Sequence, residues 1–194
     1  MQEFNSLLQL LAMLLAEPRT SILFILLVVA AVIDYRSHKI PNWLTVSGLA
    51  FGLIYNTAFS SSSHGGFLWA FGGLMFGFLI MLPLYALRVM GAGDVKLMAM
   101  VGAFLGIYDT FHAVIAVFIM GGIAALGFAL FNKALARMLS NIKNIVQVML
   151  FSAMAGIRPD AQIEVYQSVG KLPYGVSISI GTIGYVVARQ LGYL

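Results

Sequence analysis

Residues 21–45 read SILFILLVVAAVIDYRSHKIPNWLT, an apolar run that ends in an aspartate, a basic loop and a proline turn. A second stretch, LRVMGAGDVKLMAMVGAFLG at residues 87–106, places Asp94 between two further apolar segments. A carboxylate beside the hydrocarbon core of a membrane is costly and marks a functional site by default. Asp34 and Asp94 are two of only seven acidic residues, so their positions at apolar boundaries require an explanation.

The composition is that of an integral membrane protein. Of 194 residues, 61% are hydrophobic and 9% are charged, whereas soluble domains have about 25% charged residues. We therefore expect an all-α, polytopic membrane helix bundle in which residues 1–194 form a single domain. The absence of cysteine excludes disulfides and thiolate metal sites. The basic residues lie in loops beside apolar segments, which argues against nucleic-acid binding and is typical of a protein embedded in lipid.

The apolar segments predict about six transmembrane helices. Their approximate bounds are residues 21–35, 43–59, 67–88, 94–108, 111–131 and 174–191. Several are shorter than the roughly 20 residues that cross a bilayer. Residues 1–20 are expected to include a short helix that lies at the interface or against the bundle, and Glu17-Pro18-Arg19-Thr20 should end it before the first span.

Residues 133–158 differ from these segments, because basic residues interrupt their apolar pattern. Apolar positions between residues 135 and 150 recur at three-and-four spacing, which predicts an amphipathic helix at the membrane interface. A seventh span over residues 145–157 is the alternative. With six spans, the loops that carry Arg36, Lys96 and Lys171 all fall on one side, as cytoplasmic loops do. This arrangement places both aspartates and residues 133–158 at the cytoplasmic face.

Each aspartate, taken alone, has an ordinary structural explanation. Asp94 follows Gly91-Ala92-Gly93 and would open a helix, where a carboxylate caps free backbone N–H groups. Asp34 lies in the last turn of its helix and could pair with Arg36 or Lys39 at the interface. A pair of acids that could meet suggests instead a dyad that shares a proton.

Three segments resemble the motifs of one family, the type IV prepilin peptidases. DYRSHKIPNWLT at residues 34–45 resembles the first-aspartate motif, in which a basic stretch, Ile-Pro-Asn and a Leu-Thr pair follow the Asp. GAGDVKL at residues 91–97 is similar to the second-aspartate motif, the GxGD signature. LPYG at residues 172–175 resembles the Pro-aromatic-Gly element before the last span. The three motifs occur in the family's order from about residue 20 to the C-terminus.

The resemblance implies an aspartic endopeptidase of the bacterial inner membrane that removes the leader of pilin-like precursors. Asp34 and Asp94 would be the catalytic pair, and Gly91 and Gly93 would shape the active-site loop. The residues carried over as candidates for positioning substrate are Pro41, Asn42, Lys96, Pro173 and Gly175. For Lys96, an anchor to lipid headgroups is the alternative.

Substrates and cofactors follow from the same resemblance. Type IV prepilins or pseudopilins would be the partners, together with membrane lipid, and no cofactor or metal is expected. Many members carry a cytoplasmic insert with zinc-binding cysteines and also methylate the new N-terminus. This chain has no cysteine and no room for that insert, so we expect no N-methyltransferase activity. Its compact form resembles the peptidases of tight-adherence (Flp) pilus systems, and archaeal preflagellin peptidases are a close alternative.

Helix ends suggest how two such carboxylates would divide the chemistry. Negative charge is favoured at a helix start and disfavoured at a helix end. Asp94 would therefore be the ionised base and Asp34 the protonated acid. The competing function is a small transporter that uses both aspartates for protons or cations. Asp109, in the expected turn Tyr108-Asp109-Thr110, should be dispensable.

Smaller features receive structural interpretations. The three histidines, His38, His64 and His112, lack the spacing of metal ligands and should lie at the surface or the interface. Two glycine pairs, Gly73 with Gly77 and Gly102 with Gly106, have the small-xxx-small spacing that lets helices pack closely. The oligomeric state cannot be deduced from the sequence.

Overall fold

A computed structural model describes residues 17–59, 65–87, 89–131, 147 and 173–193. These residues are helical or in short connections, with no strand, which confirms the all-α prediction. The helices are α1 (Pro18–Ser37), α2 (Asn42–Ala58), α3 (Phe67–Ala86), α4 (Ala92–Phe131) and α5 (Tyr174–Gln190). Contacts divide the chain into two compact units, residues 1–121 with 173–194 and residues 122–172. The organisation as a single domain stays a prediction.

Three helical segments are long and apolar enough to cross a membrane. They are α1, α3 and residues Ala92–Phe128 of α4. Helices α2 and α5 have 17 residues each, so the count of about six spans stays a prediction. Large apolar side chains such as Ile25, Leu79 and Ile119 face outward, as expected of helices surrounded by lipid.

Helix α1 begins earlier than the sequence suggested. The first span was predicted to begin near Ser21, but Pro18 starts the helix, and Glu17 immediately before it has an extended backbone. Proline is tolerated in a first helical turn, where its missing N–H would have no partner in any case. The Glu17 carboxylate accepts a hydrogen bond from the Thr20 hydroxyl at 3.0 Å. Residues 1–16, most of the predicted amphipathic helix at 133–158 and most of the alternative span at 145–157 lie outside the described residues.

The turn expected at Tyr108-Asp109-Thr110 lies instead at Gly106. Gly106 has φ 74° and ψ 176°, whereas residues 107–131 are helical. A side chain here would combine an unfavourable left-handed φ with a clash, since a Cβ would lie 2.2 Å from the Trp69 ring. The polarity of residues 108–110 indicated a turn there. The backbone bends instead at Gly106, because glycine can adopt a positive φ.

Helix α4 therefore has two arms, residues 92–105 and residues 107–131. The first arm packs against α3, with Gly102 beside Gly73 and Met98 beside Gly77. The second arm returns along α5, from Asp109 near Arg189 to Val117 against Gly181. The chain direction thus reverses at Gly106, and the second arm returns as far as Gly121, whose Cβ position lies 3.9 Å from Ser177 Cβ near the start of α5.

The two glycine pairs pack α3 against the first arm of α4, as their spacing predicted. A Cβ built on Gly102 would lie 2.1 Å from the Gly73 carbonyl oxygen, and one on Gly77 would lie 2.5 Å from the Met98 carbonyl oxygen. Backbone atoms cannot move aside as flexible side chains can. This contact therefore fixes the position of the helix that carries Asp94.

Asp109 is buried and paired, which contradicts its placement in an expendable turn. Its carboxylate accepts hydrogen bonds from the Tyr185 hydroxyl at 2.9 Å and from the Arg189 guanidinium. Only 5% of Asp109 is exposed. The interaction joins the second arm of α4 to the end of α5, at the end of the bundle away from Asp34.

Gly102→Ala should destabilise the protein because its methyl group has no space beside Gly73. We expect the free energy of unfolding to fall by about 1–3 kcal/mol, the usual cost of overpacking. Gly184→Ala is the matched control, since no atom lies within 4 Å of its Cβ position. Thermal unfolding in detergent, followed by tryptophan fluorescence, measures both. Equal midpoints for the two variants would contradict the close packing of α3 on α4.

Asp109→Asn should lower the free energy of unfolding by about 1–3 kcal/mol, the range for a hydrogen bond to a charged group. Because Asp109 and Arg189 form one interaction, the double variant with Arg189→Gln should lose little more than either single variant. Denaturant unfolding of the wild type, the two single variants and the double variant gives the four free energies of a double-mutant cycle. Additive losses would show that the two side chains do not stabilise the fold as a pair.

Candidate active site

Asp34 is a buried carboxylate held by the backbone of a distant segment. It lies in the last turn of α1 and is 4% exposed. The Gly175 N–H donates a hydrogen bond of 2.7 Å to its Oδ2 atom. Gly175 is the second residue of α5, so Asp34 satisfies one of the N–H groups that a helix start leaves without an internal partner.

This contact changes the electrostatic argument about the two aspartates. Asp34 lies at the C-terminal end of its own helix, but its carboxylate also faces the positive N-terminal end of α5. Both aspartates therefore lie at a helix start. The sequence assigned Asp34 as the acid and Asp94 as the base because only Asp94 was expected at a helix start. The structure removes that difference, so the assignment no longer has a basis.

Asp94 lies in the first turn of α4 and bonds back to the residue before the helix. Helix α4 begins at Ala92 rather than at Asp94. The Gly91 N–H donates a hydrogen bond of 3.0 Å to Asp94 Oδ2, and the Asp94 N–H donates one of 3.1 Å to the Gly91 carbonyl. Asp94 is 8% exposed. Asp94 is therefore not the helix-opening cap residue that the sequence predicted, but a first-turn residue that forms a closed ring with Gly91.

The two carboxylates are near neighbours. Asp34 and Tyr174 both lie within electrostatic reach of the Asp94 carboxylate. The structure thus brings together residues 60 positions apart in sequence, from the end of α1 and the start of α4. The predicted pair meets, and the Pro-Tyr-Gly segment adjoins it.

Ile40 is the side chain that joins the three motifs. A Cβ on Gly93 would lie 3.1 Å from Ile40 Cβ, and a Cβ on Gly175 would lie 2.9 Å from Ile40 Cδ1. Ile40 therefore fills the space between the loop before α4 and the start of α5. The sequence contained a signal for this position, since Ile40 is a lone apolar residue between a basic loop and a proline.

The two glycines of the GAGD loop serve different purposes. Gly93 is tight against Ile40, so its lack of a side chain is a steric requirement. At Gly91 a Cβ would make ordinary contact, 3.5 Å from Asp94 Oδ2. Gly91 contributes chiefly the N–H that binds this carboxylate.

The remaining candidates position loops and link segments. Pro41 and Pro173 immediately precede α2 and α5. The exposed Lys96 donates a hydrogen bond of 2.8 Å from Nζ to the Asn42 side-chain oxygen. The link ties the helix of Asp94 to the segment that follows Asp34, so Lys96 has a protein partner as well as a possible contact with lipid.

The part of the chain that the structure describes contains no group of three His, Cys, Asp or Glu side chains that could hold a metal ion. His112 Nδ1 lies 3.0 Å from the Tyr108 carbonyl oxygen, and its ring stacks on Tyr185 at 5.9 Å between centroids. His38 ends α1 with φ 50°. The absence of a metal from the chemistry stays a prediction.

Comparison with known proteins bears on this arrangement. Residues 21–126 match the model of the type IV leader peptidase family. The match includes Asp34 and Asp94 and ends before Pro173. Neither the curated proteins nor the solved structures gave a significant match. Because the family match covers more than half of a chain with three apolar, membrane-length helices, this membrane protein belongs to the type IV leader peptidase family.

Proposed function

We propose that the protein is an intramembrane aspartic endopeptidase that cleaves the leader from type IV prepilins or pseudopilins, with the Flp-like precursors as the favoured substrates. The observation that carries the proposal is the meeting of Asp34 and Asp94 in one buried site. Each carboxylate is held by the backbone N–H of a motif glycine, Gly175 for Asp34 and Gly91 for Asp94.

Each carboxylate is held through its Oδ2 atom, which accepts a hydrogen bond from the N–H of Gly175 in Asp34 and of Gly91 in Asp94. The backbone of Val176 also interacts with the Asp34 carboxylate. Fixing one oxygen of each group presets the geometry that an oriented reaction requires.

In the proposed mechanism the two carboxylates share one proton. The ionised carboxylate takes a proton from water while the water oxygen attacks the scissile carbonyl carbon. The protonated carboxylate donates its proton to the carbonyl oxygen, which gives a tetrahedral diol. As the diol collapses, the ionised carboxylate takes a proton from one hydroxyl group, the carbonyl re-forms and the C–N bond breaks. The protonated carboxyl gives its proton to the leaving amine, so the pair again shares one proton. Because both aspartates lie at helix starts, either one could be the initial base.

The substrate would reach the site at the cytoplasmic membrane face. Lys and Arg residues flank the segments that carry the aspartates, for example Arg36, Lys39 and Lys96, as in cytoplasmic loops of inner-membrane proteins. The apolar helix of a precursor could lie in lipid against the outward apolar faces of the bundle.

We also propose that the enzyme lacks methyltransferase activity.

Membership of a peptidase family favours this function over the proton or cation transporter that the sequence left open. Both functions need buried acids, but only the peptidase needs two carboxylates close enough to share a proton.

Asp34→Asn and Asp94→Asn should each abolish detectable precursor cleavage, with a loss of roughly 10²–10⁴-fold in rate when a general acid or base is removed. The assay reconstitutes the full chain with a Flp-type prepilin and follows mobility and the mass of the new N-terminus. Glu17→Gln is the matched control, because Glu17 is an exposed acid at the other end of α1.

Wild type and Glu17→Gln should cleave at similar rates. Activity that persisted in a folded Asp34→Asn or Asp94→Asn protein would exclude the two-carboxylate mechanism.

Gly175→Ala should lower the rate constant of cleavage strongly and the unfolding midpoint only slightly. The added methyl would lie 2.8 Å from Asp34 Oδ2 and 2.9 Å from Ile40 Cδ1, so the carboxylate must shift. A displacement of about 1 Å can lower a rate by roughly 10²-fold. Gly184→Ala on the same helix, with open space at its Cβ, should keep wild-type activity. The rate constant and the unfolding midpoint of both variants are the measurements, and full activity of Gly175→Ala would refute the positioning role.

A further inference from the structure

A cavity of about 540 Å³ lies at the end of the bundle opposite the two aspartates. Four charged residues line it: Glu17 and Arg19 at the start of α1, Asp109 after the Gly106 turn, and Arg189 at the end of α5. Asp34 is at the other end of α1 and Gly175 at the other end of α5. The cavity is therefore separate from the proposed catalytic site.

The two arginines of this cavity differ from the other basic residues in the side of the membrane on which the predicted topology places them. Nine of the eleven Lys and Arg residues belong to the loops or helix ends assigned to the cytoplasmic side. Arg19 and Arg189 are the other two, and both line the cavity. Basic residues are depleted on the side away from the cytoplasm, so two that converge on one cavity indicate a specific use.

The arginines retain hydrogen-bonding capacity beyond their protein contacts. Within the part of the chain that the structure describes, Arg19 makes two long contacts, 3.3 Å to Asn56 Oδ1 and 3.5 Å to Glu17 Oε1. Arg189 uses one terminal nitrogen for Asp109. A guanidinium carries five N–H donors in a planar fork, which matches the oxygens of a phosphate or carboxylate. Two such forks on one cavity fit a group with several oxygens.

One part of the remaining lining is apolar and aromatic, beside the polar side chains of Thr20, Asn56 and Gln190. It includes Leu23, Phe104, Val186 and Trp69, and the Arg19 guanidinium lies 5.7 Å from the centroid of the Trp69 ring. The cavity also lies at helix ends, the level at which lipid headgroups meet a membrane protein and tryptophan is enriched. Its lining therefore combines charged donors with an apolar wall, which suits an amphiphile better than a free ion.

We propose that this cavity binds a phosphate ester, with a membrane phospholipid headgroup held between Arg19 and Arg189 and its acyl chains along the apolar wall. Asp109 holds the Arg189 guanidinium in place, and Glu17 and Asp109 together balance the two positive charges. The lipid would brace α1, α5 and the Gly106 turn on the side of the membrane away from the peptidase site.

The test measures lipid binding to the full-length, delipidated protein in detergent by native mass spectrometry. Phosphatidylethanolamine is compared with a neutral diacyl glycolipid that has the same acyl chains and no phosphate. The first phosphatidylethanolamine should bind at least about tenfold more tightly, as expected for charge-assisted hydrogen bonds. Inorganic phosphate in a competition arm distinguishes the sources, since displacement of the lipid at millimolar phosphate would identify the free ion as the ligand.

Arg19→Gln and Arg189→Lys test the site itself. Arg189→Lys keeps a charge for Asp109 but removes the planar fork, so the fold is retained. Each variant should weaken binding of the first phospholipid by about tenfold, whereas Arg36→Gln, at the other end of α1, should change it less than about twofold. Equal binding of the phospholipid and the glycolipid would overturn the proposal, as would unchanged binding by both cavity variants with wild-type unfolding midpoints.

Discussion

The arrangement of the site depends on one hydrogen bond, from the Gly175 N–H to the Asp34 carboxylate. It joins the end of α1 to the start of α5, across 141 positions of sequence. The Ser179 hydroxyl strengthens the same junction, because it lies 2.8 Å from the carbonyl oxygens of both Leu27 and Gly175. A carboxylate buried to 4% exposure needs such partners, since burial without them is costly. The same bond aligns the group and makes its burial tolerable.

Asp94 reaches its partner through packing rather than through a direct bond. Gly73 and Gly102 let the backbones of α3 and α4 touch, which fixes the position of α4 along α3. Gly93 leaves space for the Ile40 side chain beside the GAGD segment. Ile40 in turn contacts the position of Gly175. The three motif segments thus pack around a single apolar side chain, and the proposed site of two carboxylates depends on contacts that glycine alone permits.

The sequence predicted the helical class, the meeting of the aspartates and the close glycine packing, because motif order and small-residue spacing are local signals. It placed the α4 turn at polar residues 108–110, since nothing local shows that Asp109 pairs with Arg189, 80 positions away. The Gly175–Asp34 bond was missed for the same reason. A helix-end argument treats one helix at a time, whereas Asp34 is influenced by the start of a second helix.

The proposed function depends on the proximity of Asp34 and Asp94 within one chain. Because the chain has no cysteine, a protein with Asp34→Cys and Asp94→Cys can be treated with a short bifunctional thiol reagent and the intramolecular link measured by mass spectrometry. The control pair, Asp34→Cys with Glu17→Cys, lies about 25 Å apart along α1. We predict linkage in the first pair and none in the control. Failure of the first pair to link, in a folded protein whose single cysteines react, would contradict the account.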